Sequence, residues 1–563
     1  MNWKINVKDL KITKKQMTLW MSGILVAVIA LMIFIVKAEP PAEGISRAEA
    51  AKAMALIFED PGNLENMAAD REISAFTDKE KGNWFVKYMD YLYEKGYLDP
   101  KVTPATLISA QGNLTYEDTA YMMGKVSGDL EKQVGMTHWN RKKTFARNDW
   151  WDIYRAAVEK TDQEGSMKEI SAILFGTPSN MEQADSWTAY TTEGNFGFQG
   201  LALDAYLDNE IRFWVRGQEI AGMTQVIEDK PVYKNIWISD VEKDQFTVYI
   251  GKYLRTFTAE GRLVSQAEKK KDELKSCVAD LHMEKGKLKK VTVKKERVRG
   301  KVLAVTDDSI ELEGYGCVPL DDNFHVYKAY GDFQVLGKGS ILVGYDLQEF
   351  VAADGKLSAA ILEQPLDAET IRVLIMDNGF KQIFHDTIEL TANCDGEMIY
   401  EKENGDHESS SFKKGDTFTF EATDKKLEKG RMTLKPEDGE GIIVTSLERG
   451  QGQPVYSGSM EVKAEEGGLV LINELYLEDY LKKVVPSEMP ASYEKEALKA
   501  QAVCARTYAY RQIQGNAYGQ YGAHVDDSTS FQVYNNINTS ERTDQAVNET
   551  YGQMLFYNNK PIE

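Results

Sequence analysis

The sequence predicts a multidomain α+β protein: a single amino-terminal transmembrane helix, a helical region, small β modules and a mixed α+β carboxyl-terminal domain. Three observations lead there. At roughly 150 residues per domain, 563 residues make three or four domains, each able to bury a sizeable core. Apolar spacing is helical up to about residue 180 and alternates from about Asp185 onward. From Ile371, strands come first and a long alanine-rich helix follows. Hydrophobic residues at 42% and charged residues at 28% are those of folded domains, which argues against wholesale disorder. The balance of 67 Lys+Arg against 88 Asp+Glu, a net charge of −21, excludes nucleic acid as the main partner. Cys277, Cys317, Cys394 and Cys504 lie 40, 77 and 110 residues apart, so neither a zinc ribbon nor a disulfide-stapled fold is encoded. In an exported chain they are expected to be mostly buried and unpaired.

Residues 1–16 form a short tail and residues 17–37 an anchor. Within it, residues 17–36 are an uncharged run of 20, in which Thr18, Ser22 and Gly23 alone are not strongly apolar. At ~1.5 Å per residue the run spans about 30 Å, the thickness of a bilayer core. Lys4, Lys8, Lys11, Lys14 and Lys15 precede it against Asp9, which places the tail in the cytoplasm and everything after Lys37 outside. A cleaved signal peptide is the other reading, with Val36-Lys37-Ala38 as its small-residue site. The apolar run is longer than a signal core, which favours the anchor. Both readings put the acidic bulk outside the cell.

Pro40 and Pro41 stiffen a linker over residues 39–44, and a helical region follows over 43–180. Ser46 and Glu49 form a capping box ahead of Ala50, Met54, Ile57 and Phe58. Leu114-Thr115-Tyr116-Glu117-Asp118 opens a similar helix through Ala120, Met122 and Met123. Between them, Phe76-Thr77-Asp78 precedes Trp84, Tyr88, Leu92 and Gly96, an amphipathic helix closed by glycine. This layout resembles a divergent S-layer-homology repeat near residues 45–125, with Ile45-Ser46-Arg47-Ala48-Glu49 standing where that family has its Thr-Arg-Ala-Glu box. The resemblance implies docking onto cell-wall polymer; a plain capped helical spacer is the other reading.

Residues 185–365 read as small β modules. Ile211-Arg212-Phe213-Trp214-Val215 and Phe246-Thr247-Val248-Tyr249-Ile250 alternate, and residues 300–314 read as a hairpin turning at Asp307-Asp308. The lysine-rich residues 268–301 suit a solvated face, or else a surface for anionic polymer.

Residues 368–563 carry the chemistry. Strand patterns at 371–375, 387–390, 418–420 and 442–444 lead to Tyr480-Leu481 and then Val484-Val485-Pro486-Ser487-Glu488-Met489-Pro490. Residues 494–514 follow as a helix, with Ser492 as its N-cap and Gly515 as its C-terminal cap. Its interior holds five alanines in the 13 residues 497–509, as suits a central helix approached closely by its neighbours. Glu488, in a turn among apolar residues and two prolines, is the candidate general acid: burial of a carboxyl raises its proton affinity. Arg506, set among alanines, requires an anionic partner or several acceptors.

The Pro486–Pro490 segment, the run Ala497-Leu498-Lys499-Ala500-Gln501-Ala502-Val503-Cys504-Ala505-Arg506-Thr507-Tyr508, then Asp527-Ser528, Gln532-Val533-Tyr534 and Thr550-Tyr551-Gly552-Gln553-Met554 resemble the stage II sporulation protein D / LytB family. The resemblance covers residues 371–563 and implies a peptidoglycan lytic transglycosylase acting on glycan strands, in that family during engulfment of the forespore. It implies Glu488 as acid/base, with Ser487, Gln501, Arg506, Tyr508, Gln532 and Tyr534 binding substrate or supporting the site. LytB-type relatives imply the alternative, a non-catalytic enhancer of a partner cell-wall amidase. No cofactor is implied. The family normally continues past Pro561-Ile562-Glu563, so this SpoIID-type domain is expected to be incomplete. Some members carry a His/Cys metal site, but His524 stands alone here and reads as a surface residue, so no metal is assigned. Asp526 and Asp527 read as a polar turn, and Cys504 as a small buried core residue.

Protease added to wall-stripped intact cells should degrade the bulk of the protein and spare a small membrane-bound stub. Full protection of the bulk contradicts the topology.

Overall fold

The computed structural model describes residues 44–69, 82–98, 110–137, 140–437, 439, 441–534 and 537–562. The apolar run 17–36 and Phe76-Thr77-Asp78 lie outside them. Among the described residues no helix is long and apolar enough to cross a membrane. The chain forms two compact units, one reaching to Pro231 with Met283–Gly286 added, the other made of Val232–His282 and Lys287 onward. The division falls inside the region read as 185–365.

In the first unit the expected capping box forms at Ser46, and the similar helix expected after Leu114 proves to open on a capping box too. Ser46 Oγ accepts the Glu49 N–H at 3.1 Å while Glu49 accepts the Ser46 N–H at 3.0 Å, opening helix Arg47–Phe58. Thr115 and Asp118 do the same for Tyr116–Val126. A third helix start, Phe145-Ala146-Arg147, is not legible in the sequence because Ala146 has no capping oxygen; it opens Arg147–Thr161. The three starts pair through backbone bridges, Ser46 with Asn113, Thr115 with Thr144 and Gly44 with Ala146. Ion pairs interlock them, Arg47 with Asp118 at 2.8 Å and Arg147 with Glu49 at 3.0 Å. Each capping acid therefore also serves an arginine from another helix start. Helix Val86–Glu94 ends just ahead of Gly96, whose φ of +77° needs a residue without a Cβ.

Strands begin at Met167, ahead of the expected Asp185. Strand Met167–Gly176 is buried continuously from Ala172 to its end, so it shows no alternation to read. It closes a five-stranded barrel with Thr188–Thr191, Gly194–Gly197, Glu210–Arg216 and Glu219–Glu228.

The second unit starts with a five-stranded sheet spanning 232–293. Its lysines are held in ion pairs such as Lys289–Glu260 at 2.7 Å and Lys275–Asp240 at 2.8 Å, which suits the solvated-face reading. Residues 296–362 build a seven-stranded sheet in which Val302–Val305 and Ser309–Leu312 form the expected hairpin.

In the carboxyl-terminal domain, β1 (Thr370–Ile375), β2 (Ser459–Glu465) and β3 (Gly468–Tyr476) form the heart of another seven-stranded sheet. β3 runs directly into α1 (Leu477–Glu488), which is followed by α2 (Lys495–Gly515), the short β4 (Val525–Asp526) and α3 (Glu541–Glu549). β1 pairs antiparallel with β3 and parallel with β4. Ile371, Val373 and Ile375 of β1 face the main core under α1 and α2, while Leu374 faces a second cluster behind the sheet.

Arg372, on that rear face, starts a buried charge network. It stands opposite Glu474 of β3 and donates to Glu461 of β2 at 2.9 and 3.0 Å. Arg431 holds the same Glu461, and its Nε reaches Glu311 of the 296–362 sheet at 3.0 Å. Both arginines are 1% exposed, and each removed charge leaves a partner stranded in the interior. Burial by itself raises the Glu461 carboxyl, but Arg372 and Arg431 outweigh it and hold the group at about 2.

His524 is a correction: it is fully buried, not on the surface. Its Nδ1 accepts the Arg372 N–H at 3.0 Å and its Nε2 donates to the Val343 carbonyl at 2.8 Å, so both nitrogens are satisfied without water. Burial pushes its imidazole down to about 4.

An unfolded histidine takes up its proton near 6.5, whereas folded His524 stays neutral to about 4, so stability is present above 6.5 and is lost as pH falls through that window. Glu461 adds a second loss from its ordinary 4.5 toward about 2. Buried Asp527, whose carboxyl is lifted to about 6, works in the opposite direction over part of the upper window, so calorimetry against pH should compare two proteins: the parent should lose Tm relative to His524→Gln as pH falls from 6.5 to about 4. A Tm difference between parent and variant that stays constant across that window contradicts this.

Candidate functional site

α1 is shaped by its apolar stripe. Leu477, Tyr480, Leu481, Val484 and Val485 recur at helical spacing and are all buried. Pro486 lies within the last turn, and Ser487 Oγ donates to the Lys483 carbonyl at 2.7 Å, so that hydroxyl is turned toward its own helix. Glu488 is the last residue of α1, where the sequence suggested a turn ahead of a helix. It is exposed, so the expected apolar enclosure is absent: Val484 and Val485 turn into the core while the helix end projects past it. One carboxylate oxygen is fixed, since Oε1 accepts the Val533 N–H at 3.1 Å.

The segment presenting that N–H is pinned on both sides. Gln532 Nε2 donates to the Ala505 carbonyl of α2 at 3.2 Å, and Tyr534 Oη donates to Asn473 Oδ1 of β3 at 2.9 Å. The Tyr534 ring lies 4.9 Å from that of Tyr480 and 5.7 Å from that of Tyr456. Gln532 and Tyr534 thus stand beneath Glu488 as supports and are themselves buried. Tyr508 and Gln501, on α2, are half-buried. Burial raises the Tyr508 hydroxyl, Arg511 opposes the rise, and the charges of Asp526 and Glu488 add to it, so both carboxylates are within electrostatic reach.

Arg506 finds the partner its burial demands. Its Nε and Nη2 grip both oxygens of Glu478 at 2.7 Å, and Nη1 and Nη2 reach the carbonyls of Gln553 at 3.1 Å and Val547 at 3.3 Å. Glu478 lies in the first turn of α1, where a carboxylate also meets the helix dipole. α2 is capped by Glu494 and by left-handed Asn516, in place of the expected Ser492 and Gly515. Cys504 is exposed, another correction: it stands about 200° around the helix from inward-facing Ala502. Cys317 is exposed as well, while Cys277 and Cys394 are buried, and none of the four is in a disulfide.

Asp526 and Asp527 are buried on β4 and its end; they do not form a polar surface turn. Asp526 accepts from Tyr518 Oη and from the Ser528 N–H, each at 2.8 Å. Asp527 accepts the Met376 N–H and Arg449 Nη2, each at 2.9 Å. Burial lifts the Asp527 carboxyl to about 6 against the pull of Arg449 and the Met376 N–H, with Asp526 adding to the rise. Arg449 comes from 78 residues upstream of Asp527, and no local pattern around it announces the pairing, so sequence reasoning missed it.

The arrangement offers one exposed carboxyl with one oxygen fixed by a backbone amide, within reach of a molecule arriving from solvent. The two aspartates lie behind it in the interior. Among the described residues no group of three or more His, Cys, Asp or Glu side chains is placed to hold a metal ion.

Residues 465–557, from the end of β2 past α3, match the family model SpoIID, Stage II sporulation protein. An uncharacterized protein of Brachyspira hyodysenteriae is 42% identical over 129 residues, covering 22% of this chain and 32% of that protein. Stage II sporulation protein D of Bacillus subtilis is 42% identical over 106 residues, 16% of this chain and 31% of that protein. The amidase enhancer of Bacillus subtilis is 45% identical over 82 residues, 15% of this chain and 10% of that protein. The chain thus spans about a third or less of the length of these relatives.

Arg506→Ala should cost ~3–5 kcal/mol of stability by stranding Glu478, and Arg506→Lys should recover only part because an ammonium cannot grip both oxygens. Denaturant unfolding checks this; an alanine variant as stable as the parent contradicts it.

Proposed function

We propose that this protein, whose carboxyl-terminal domain is of the SpoIID family, is a membrane-anchored cell-wall remodelling enzyme, a lytic transglycosylase that cleaves peptidoglycan glycan strands with Glu488 as its single acid/base. The observation that carries the reading is the exposed Glu488 carboxyl at the end of α1, with Oε1 held by the Val533 N–H. The apolar run 17–36 is the membrane anchor in this reading, with the bulk on the wall side.

The chemistry needs one proton donor. Protonated Glu488 gives its proton to the glycosidic oxygen, the bond from that oxygen to C1 breaks, and the leaving sugar departs as an alcohol. The C6 hydroxyl oxygen of the remaining sugar bonds to C1, closing an anhydro ring, and its proton returns to Glu488. No water is consumed and the carboxyl ends as it began. A hydrolase would ordinarily use a second carboxylate to activate water or act as nucleophile.

A second reading is supported by the similarity to an amidase enhancer: the domain binds peptidoglycan and stimulates a partner amidase without cleaving it. Sporulation, and engulfment within it, is the setting that the sporulation-protein relatives suggest.

Glu488→Gln keeps the shape and the Val533 contact but removes the transferable proton, so cleavage of purified glycan strands should fall ~10²–10⁴-fold while Tm stays near the parental value. Parental cleavage by that variant would mean that another residue does the chemistry. Equal stimulation of an amidase by both forms, with no cleavage by either, would hand the site to the enhancer reading.

A further inference from the structure

Beyond Glu488 the chain makes a clamped loop. The Tyr493 N–H donates to the Pro490 carbonyl at 3.1 Å, and Arg542 of α3 donates to the carbonyls of Ala491 at 2.9 Å and Tyr493 at 2.7 Å. The backbone is therefore fixed, yet the Tyr493 side chain is left in water, with the residue 52% exposed. Two residues later α2 begins at Lys495, which pairs with Glu549 at the end of α3. Two residues past Glu549, Tyr551 is 73% exposed. Two open tyrosines far apart in sequence thus flank one ion pair. The Pro490–Tyr493 turn keeps their edge within roughly 14 Å, Cα to Cα, of Glu488 on the Tyr493 side.

Packing in this domain takes Tyr456, Tyr480 and Tyr534, all fully buried; of the exposed rings, which also include Tyr476, Phe556 and Tyr557, Tyr493 is the one set a single turn beyond Glu488. Tyr493 and Tyr551 have no such role. The charges between them are already engaged, since Lys499 also reaches Glu549 at 3.6 Å and Glu496 at 3.4 Å. What remains available is two aromatic faces, and the ligand class that suits them is a pyranose, whose axial C–H face is apolar and packs on the negative face of a ring.

We propose that Tyr493 and Tyr551 form an aromatic platform that seats sugar rings of a glycan strand beside Glu488. The inference rests on the glycan-cleaving reading of the site. The platform supplies grip along the strand, and Arg542 acts through it as a positioning residue by holding the Tyr493 loop.

The test uses the full chain with Tyr493→Ala, Tyr551→Ala, both together, and the two phenylalanine replacements. Cosedimentation with purified glycan strands is measured in a Glu488→Gln background, which binds without turnover, and KM and kcat are measured with Glu488 intact. Each alanine should weaken binding ~2–10-fold, the pair by more, with KM rising, kcat changing less than about twofold and Tm unchanged. The phenylalanine variants should bind as the parent does, because the ring face and not the hydroxyl makes the contact. Parental binding and KM in the double alanine variant overturn the platform and leave the glycan-cleaving reading intact. Loss of binding in the phenylalanine variants replaces stacking by a hydroxyl contact and also overturns it. A parent that binds no glycan ends both readings together.

Discussion

The carboxyl-terminal domain depends on one buried ion pair, Arg506 with Glu478. It ties the first turn of α1 to the middle of α2, and the same guanidinium collects the carbonyls of Val547 and Gln553 from the end of α3 and the segment after it. Three pieces of chain far apart in sequence are thereby brought to one point. A bidentate arginine suits this because its donors are rigidly spread, so the pair fixes orientation as well as distance. α1 held at its first turn delivers Glu488 at its last, and α2 held at its middle supplies the carbonyl that Gln532 needs. The position of the Glu488 carboxyl is therefore set at two removes, by groups that never approach a substrate.

A second set of buried charges does similar work behind the sheet. Arg372, Glu461, Arg431, Glu474 and Glu311 join the central strands to the 296–362 sheet, and His524, just ahead of β4, reaches Val343, whose segment runs beside Val302 of that sheet. β1 carries this network at Arg372 and ends next to Met376, whose N–H holds Asp527. The same strand thus ties the rear charge network to the buried carboxylate behind Glu488.

Much of this domain was legible in the sequence, and the reasons are local. The alanines of α2 and, in the first unit, the capping box at Ser46 are patterns of neighbours, and the structure has the elements they predict; the stripe from Leu477 to Val485 is as local a pattern, yet the helix it builds was expected to be a turn at Glu488. The need of Arg506 for an anion was legible too, though not its partner. What could not be read is which side of an element faces out once distant segments pack. Glu488 sits among apolar residues in sequence and yet is exposed, because the helix ends there. His524, Asp526 and Asp527 are polar in sequence and yet buried, because β4 is inserted beside β1 and their partners come from Val343, Tyr518 and Arg449. Cys504 looked like core because its neighbours are alanines, but only one face of α2 turns inward.

The reading of the site turns on whether a single carboxyl, with the sugar's own hydroxyl as nucleophile, breaks the glycosidic bond. Mass spectrometry of the products from purified glycan strands separates that chemistry from hydrolysis. Each cleavage is expected to leave one anhydro-muramic end where hydrolysis would leave a reducing end, and one non-reducing end with a free hydroxyl. New reducing ends would contradict it, because they require water as the nucleophile and a second group to activate it.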